Sequence, residues 1–219
     1  MIDSRDKWKD DFKEFKSLLK KPKDNFDKIM SLSIGLHAFT HETPENEQRE
    51  IPTYEDQLWQ ENADFTKITP QKIYSAAWHV WHSARIEDIT CARLLLSEDE
   101  VLDSQNYYEK INVPFRHTGN SMDYSEMELF NKSINIDELR MYRRKVAERT
   151  VNTLNDLTFG EFNSKFSASD IDKISQTKSV ADADSWLLEY WGKKKVSGII
   201  AMPFTRHLMV HINSAFRAL

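Results

Sequence analysis

"TPQKIYSAAWHVWHSARIEDITCARLLL", residues 69–96, decides the fold class. Thr69 followed by Pro70 is a helix-start signal, an N-cap residue before a proline at the first helical position. The pattern predicts one helix from Pro70 to about Leu96. At about 100° of turn per residue, Ile73, Ala77, Val80, Ala84, Cys91 and Leu95 share one apolar face. Trp78, Ile86 and Ile89 form a second face, which also carries His82. His79 falls with Lys72, Ser83 and Thr90 on a polar strip and is predicted to be solvated. A helix that is apolar on two sides packs against several neighbours.

The pattern on either side is also helical. Residues 4–20 read as a charged amphipathic helix with Trp8, Phe12, Phe15 and Leu18 or Leu19 on one side, interrupted by Pro22. Residues 25–41 form a second helical pattern through Phe26, Ile29, Met30, Ser33, His37 and His41. Residues 41–52 are a polar loop. Residues 53–62 predict a short helix with Thr53 as N-cap and Asp56 at the third position. Residues 104–123 read mostly as loop, 124–133 as a short helix. Residues 135–157 read as a long helix, with Leu139, Tyr142 or Arg143, Val146, Thr150 and Leu154 at helical spacing. Shorter helical pieces are expected at 159–166 and 182–193. A last helix is expected over 199–217, with Pro203 either kinking it or starting its regular part. Sustained period-two alternation and Asn-Gly or Asp-Gly hairpin turns are missing. The expected fold is all-α: a four-helix bundle with long crossover connections carrying short extra helices. The expected organisation is one domain over 1–219, with 1–22 a helical extension and 25–219 the core.

Composition bounds the function. The chain has 219 residues, 40% hydrophobic and 30% charged, with a formal net charge of -5. That is the balance of a soluble globular protein. There is no basic excess to draw it onto nucleic acid. Lys20, Lys21 and Lys23, like Lys193, Lys194 and Lys195, are short clusters beside acidic residues and read as solvated faces or helix ends. Cys91 is the only cysteine and lies in an apolar-periodic stretch, so a buried thiol is expected rather than a nucleophile. The first residues show no apolar signal core, and no apolar run approaches the roughly 18 residues that span a membrane. A cytoplasmic protein with no membrane partner is the expectation.

The chemistry points to histidine. Of seven histidines, three face inward by the wheel: His82, and the pair His207 and His211 in "TRHLMVHINS", residues 205–214. Phe204, Leu208, Ile212, Ala215 and Leu219 make the core stripe of that last helix, and the pair runs along its edge. Histidines four apart on one helix reach a common ion, and bundle cores build metal sites from facing helices. The bland alternative is a set of packed, hydrogen-bonded core histidines. His37 and His41 repeat the spacing, which makes His37 a secondary candidate ligand. His41, at a helix end, is also explained by the exposed carbonyls there. His117, beside Thr118 and Gly119, reads as a surface or loop-ordering residue. Three neutral imidazoles suit Zn, Ni, Fe or Cu without choosing among them. No His-Glu-x-x-His, Gly-rich phosphate loop or Gly-x-Ser-x-Gly elbow is present.

"AAWHVWHSARIEDI", residues 76–89, followed by "MPFTRHLMVHINSA", residues 202–215, resembles the DinB family, whose superfamily includes bacterial thiol-dependent transferases. The resemblance covers about residues 25–219. It implies a four-helix bundle with a crossover, often a homodimer, with a divalent ion in an open pocket. One ligand would be His82, with the acidic Glu87 following, and the other two His207 and His211. Many members end the last-helix motif with His-Arg-Gly-Gln. This chain has Ile212, Asn213, Ser214 and Ala215 there, a departure that leaves the three ligands in place but does not let the better-known members' substrates carry over.

Two function classes follow. One is a metal-dependent enzyme in which the three-histidine ion activates a low-molecular-weight thiol or a water for a small-molecule substrate, as a thiol S-transferase or a hydrolase. Glu87 is then the candidate catalytic carboxylate, orienting an imidazole or taking a proton, with a salt bridge to Arg85 or Arg206 as the alternative. Trp78 and Trp81 either line a pocket or pack the core. The other class is a metal- or ligand-binding bundle without turnover, in which a fourth protein ligand such as His37 closes the site.

Overall fold

The structure is a computed structural model that describes residues 4–44, 47 and 49–219. The parts of the N-terminal and 41–52 loop readings that fall on residues 1–3, 45, 46 and 48 lie outside the described residues.

The described chain is helical, with no strand and only two isolated bridges, Thr69 to Lys72 and Lys165 to Lys195. In order the helices are α1 (Ser4–Leu18), α2 (Phe26–Phe39), α3 (Tyr54–Trp59), α4 (Ala76–Ile89), α5 (Val101–Ser104) and α6 (Tyr107–Ile111). They continue with α7 (Tyr124–Ser133), α8 (Ile136–Asp156), α9 (Phe159–Phe162), α10 (Ala168–Ser175), α11 (Trp186–Gly192), α12 (Val196–Ala201) and α13 (His207–Ala218). Thr53 caps α3 in a reciprocal box with Asp56. Asn135 caps α8. Helix α10, opened by a Ser167–Asp170 capping box, was not expected from the sequence pattern.

The decisive stretch begins later than its sequence predicts. Thr69 Oγ1 accepts the Lys72 amide, but the Lys72 carbonyl turns back to the Thr69 amide, so the cap closes a turn and not a helix. The working cap is Ser75, whose side chain accepts from the Trp78 amide. Helix α4 runs into a π-helical segment, Thr90–Leu96, that ends on Ser97 in the left-handed region. A second π-helical segment, Met202–Arg206, links α12 to α13 around Pro203. Proline removes an amide donor there. Thr205 Oγ1 donates to the Ile200 carbonyl, 3.0 Å away.

Helix α4 packs against both α13 and α8, while α2 packs on α8 and on the 202–206 segment. Its Ile86 and Ile89 join one apolar cluster, around Ile29, Leu36, Phe204 and Ile212. Its Val80, Trp81 and Ala84 join a second, around Phe130, Leu139 and Val146. The helix is apolar on two sides as expected, but the clusters divide it along its length: Trp78 joins the second and Cys91, in the π-helical continuation, the first, and every residue of α4 except His79 is buried. Among the described residues no helix is long and apolar enough to cross a membrane.

Candidate metal centre

Helix α4 carries His82 and helix α13 carries His207 and His211 to one place. Each offers a ring nitrogen, and the three nitrogens lie within 4.8 Å of one another. The ring centroids of the three are 4.3 to 5.1 Å apart. His82 is 3% exposed, and the other two keep partial exposure.

The hydrogen bonds fix which atoms are free. His82 Nδ1 lies 2.7 Å from the Thr118 carbonyl oxygen. A carbonyl only accepts, so Nδ1 carries the proton and Nε2 presents a lone pair. That lone pair points to His207 Nε2, 3.3 Å away. Nitrogens held at about 2.0–2.1 Å from a tetrahedral ion sit about 3.3 Å apart, so the spacing fits a shared ion. An imidazole with its remote N–H locked on a carbonyl is the arrangement that orients metal-binding histidines. His207 Nδ1 is buried with no partner.

The 117–120 loop supports this geometry. Gly119 has a φ of +76°, and a Cβ there would lie 2.6 Å from Trp81 Cζ3 and 2.9 Å from Trp78 Nε1. Only glycine lets the loop sit on both indoles and aim the Thr118 carbonyl at His82. Trp78 stacks on the His82 ring at 4.6 Å and 11°. Trp78 and Trp81 are 5% and 0% exposed, so they pack rather than line an open pocket. His117 orders the loop by accepting the Gly119 amide on Nδ1.

Burial sets the protonation. It pushes His82 down to about 4, against the opposing Thr118 bond. Burial first, then the neighbouring imidazoles, hold His207 and His211 well below the ordinary histidine value. At neutral pH all three are neutral with lone pairs available, the condition for binding a metal.

His79 corrects the sequence reading. It is partly buried, not solvated, and its Nδ1 lies 3.1 Å from His211 Nδ1. Burial, then His82, lowers it to about 4. Its supposed polar strip misleads because Ser83 and Thr90 are themselves fully buried, donating to the Val80 and Ile86 carbonyls. The wheel's polar face is therefore an interior face.

Glu87 and His37 are not brought to the three histidines. Glu87 follows His82 by five residues, about 140° further round the helix, and so faces α2. There it meets His37 Nε2 at 2.6 Å and His41 Nε2 at 2.9 Å. Burial opposes its charge, but the two imidazoles hold it well below the usual carboxylate range. Glu87 therefore does orient imidazoles, although not those of the three-histidine set. The alternative salt bridges are not formed: Arg85 pairs with Glu100 and Asp88, and Arg206 is exposed. Cys91 is buried beside Thr153, and burial raises its thiol to about 12, which leaves it without thiolate character.

No model of a known protein family matches the chain, and no curated protein matches it.

Proposed function

We propose that the chain is a DinB-like four-helix bundle, active as a homodimer in the cytoplasm, whose His82, His207 and His211 hold one divalent transition-metal ion. In this reading it is a metal-dependent enzyme of the thiol S-transferase or hydrolase type. The observation that carries the reading is the His82 nitrogen pair. One nitrogen is locked on the Thr118 carbonyl, and the other is aimed at a nitrogen 3.3 Å away that belongs to a second helix. At 3.3 Å the two nitrogens suit either a His207 Nε2–H donating to His82 Nε2 or two ligands of one ion, and the His211 nitrogen brought within 4.8 Å of both favours the ion.

When bound, the ion lowers the pKa of a coordinated thiol or water, supplying a nucleophile near neutral pH. The chain's own contribution is orientation and dryness. Thr118 fixes the His82 tautomer, Trp78 fixes its ring plane, and partial exposure of His207 and His211 leaves the approach side for a small-molecule substrate.

The second reading is a binding bundle without turnover. His79 Nδ1 lies 3.1 Å from His211 Nδ1 but outside the group of three nitrogens, so among the described residues it orients His211 and does not close the coordination.

Elemental mass spectrometry on untagged protein, beside the triple variant His82→Ala, His207→Ala, His211→Ala, tests the centre. About one ion of Zn, Ni or Fe per chain, lost in the variant, supports it. Thiol-dependent consumption of an electrophile by the loaded protein then separates enzyme from binder. Wild-type protein that neither carries nor takes up any of these metals removes the reading.

A further inference from the structure

Outside the three-histidine set, the described residues hold a second cluster: His37, His41 and Glu87, which are 0%, 4% and 0% exposed. The two imidazoles stack at 4.0 Å between centroids, and each addresses a different oxygen of one carboxylate. The hydrogen bonds of this triad do not close with the protons that two neutral imidazoles and a carboxylate provide.

The mismatch lies at His41. Its Nδ1 is 2.9 Å from the His37 carbonyl oxygen, which only accepts, so Nδ1 carries a proton. A neutral imidazole has one N–H. His41 Nε2 would then present a lone pair to the Glu87 carboxylate, 2.9 Å away, and two acceptors at that distance repel. His37 raises no such conflict. Its Nε2–H donates to Glu87 at 2.6 Å, and its Nδ1 has no partner, which is the neutral tautomer.

Charge balance gives the same answer. The nearest guanidinium, Arg143 on α8, donates to Glu55 on α3, to Ser83 and to the Thr40 carbonyl, so its charge is taken by Glu55. From α13 the neutral His207 is the titratable group that feels Glu87. That leaves Glu87 as a buried carboxylate needing one positive partner, and unpaired buried charge is strongly unfavourable. Burial lowers His41 below the ordinary histidine value, with His37 and Arg143 adding to it and Glu87 opposing it; the two acceptors that face its two ring nitrogens are what place the proton there. A metal ion is the poorer partner. Donors bound at about 2.0–2.2 Å in tetrahedral or octahedral geometry are separated by about 2.8–3.6 Å, and His37 to Glu87 is only 2.6 Å. That is a short hydrogen bond to a carboxylate, closer than two ligands of one ion stand.

We propose that His37, Glu87 and His41 form a buried proton-binding site, loaded at neutral pH as one imidazolium at His41, one carboxylate at Glu87 and one neutral imidazole at His37. The loaded triad is electrically neutral. On losing its proton it presents one negative charge to His207, from a position about 7.5 Å along α4 from His82 at 1.5 Å per residue. The proton site stands whether or not the three histidines bind metal.

The test is nitrogen NMR on histidine-labelled, metal-free full-length protein at pH 7.5, with Glu87→Gln as the partner variant. Glutamine keeps every bond with a neutral His41: its amide oxygen accepts from His37 and its amide N–H donates to His41 Nε2. The expected result is a wild-type His41 with both ring nitrogens protonated. In the variant Nε2 is unprotonated, and the other six histidines are unchanged. A wild-type His41 with an unprotonated Nε2 overturns the proposal, and this readout needs no folded variant. Zinc added to two equivalents is the second arm. His37 and His41 signals that move as ligands make the triad a metal site and overturn the proposal. Signals that stay while His82, His207 and His211 respond support it. If no histidine responds, the three-histidine reading fails and the first arm alone decides the proton site.

Discussion

Gly119→Ala tests the link between the 117–120 loop and the histidine centre. Two costs act together. The residue sits at φ +76°, where a side chain costs roughly 1–2 kcal/mol. The added Cβ would also lie 2.6 Å from Trp81 Cζ3, 2.9 Å from Met122 Sδ and 2.9 Å from Trp78 Nε1. Both indoles are buried, so relief means shifting packed rings or lifting the loop, an overpacking cost of roughly 1–3 kcal/mol. The sum is roughly 2–5 kcal/mol, and at about 2–4 °C per kcal/mol for a chain of this size the melting temperature falls by about 4–20 °C. Lifting the loop also carries the Thr118 carbonyl away from His82 Nδ1, so zinc affinity falls by about 10–100-fold. Circular-dichroism melting and competitive zinc titration read the two effects. Gly35→Ala is the control, because an added Cβ there meets nothing within 4 Å on an exposed part of α2. It raises stability by about 0.5–1 kcal/mol. A Gly119→Ala protein that melts within 1 °C or so of wild type, with unchanged zinc affinity, refutes the reasoning.

Three further outcomes follow from the same geometry. His79→Ala lowers zinc affinity by about 10–100-fold while leaving one ion per chain, because it removes the nitrogen that orients His211; unchanged affinity would return His79 to the bystander the wheel made it. His82 has its folded value depressed to about 4, so the unfolded chain binds more protons between there and 6.5, and stability is complete above pH 6.5 and falls with acidification. Between pH 7.5 and 5 that one group removes about 2 kcal/mol from the metal-free protein; urea midpoints in His82→Gln, less acid-sensitive by that amount, check it, and equal sensitivity rejects it. Arg85→Met takes the guanidinium from Glu100 and Asp88, both fully buried, leaving Arg93 as the cation on Glu100, and costs roughly 3–5 kcal/mol. Adding Glu100→Gln recovers part of the loss in denaturant titration, and no recovery would mean the arginine matters for packing alone.

The helices were legible in the sequence where one face is apolar and the ends carry their own caps. Helix α8 is the clear case: Leu139, Tyr142, Arg143, Val146, Thr150 and Leu154 are all buried, and Asn135 caps it. The inward direction of His82, His207 and His211 was legible for the same reason, since three positions on two apolar stripes must meet wherever those stripes meet. Helix α4 marks the limit. Periodicity reports exposure only when a helix has a wet side, and α4 has none. Its polar residues are satisfied by partners remote in sequence or by their own backbone. Arg85 is held by Glu100, Glu87 by His37 and His41, Ser83 by Val80 and by Arg143. A wheel cannot see such partners, so it read an interior polar seam as a solvent strip and put His79 in water. The start of α4 was lost differently. Thr69-Pro70 and Ser75 are both sound local caps, and the choice between them lies in packing, because the Ala77 amide donates to the Phe65 carbonyl and fixes the chain's entry at Ser75. Helix α4 carries a member of both histidine clusters on different sides, with His82 facing α13 and Glu87 facing α2. An all-buried helix with several ionisable residues is therefore the sequence feature that marks where this protein keeps its chemistry. The dry environment that hides those residues from a wheel also keeps His82 neutral, while the two imidazoles hold Glu87 ionised against it.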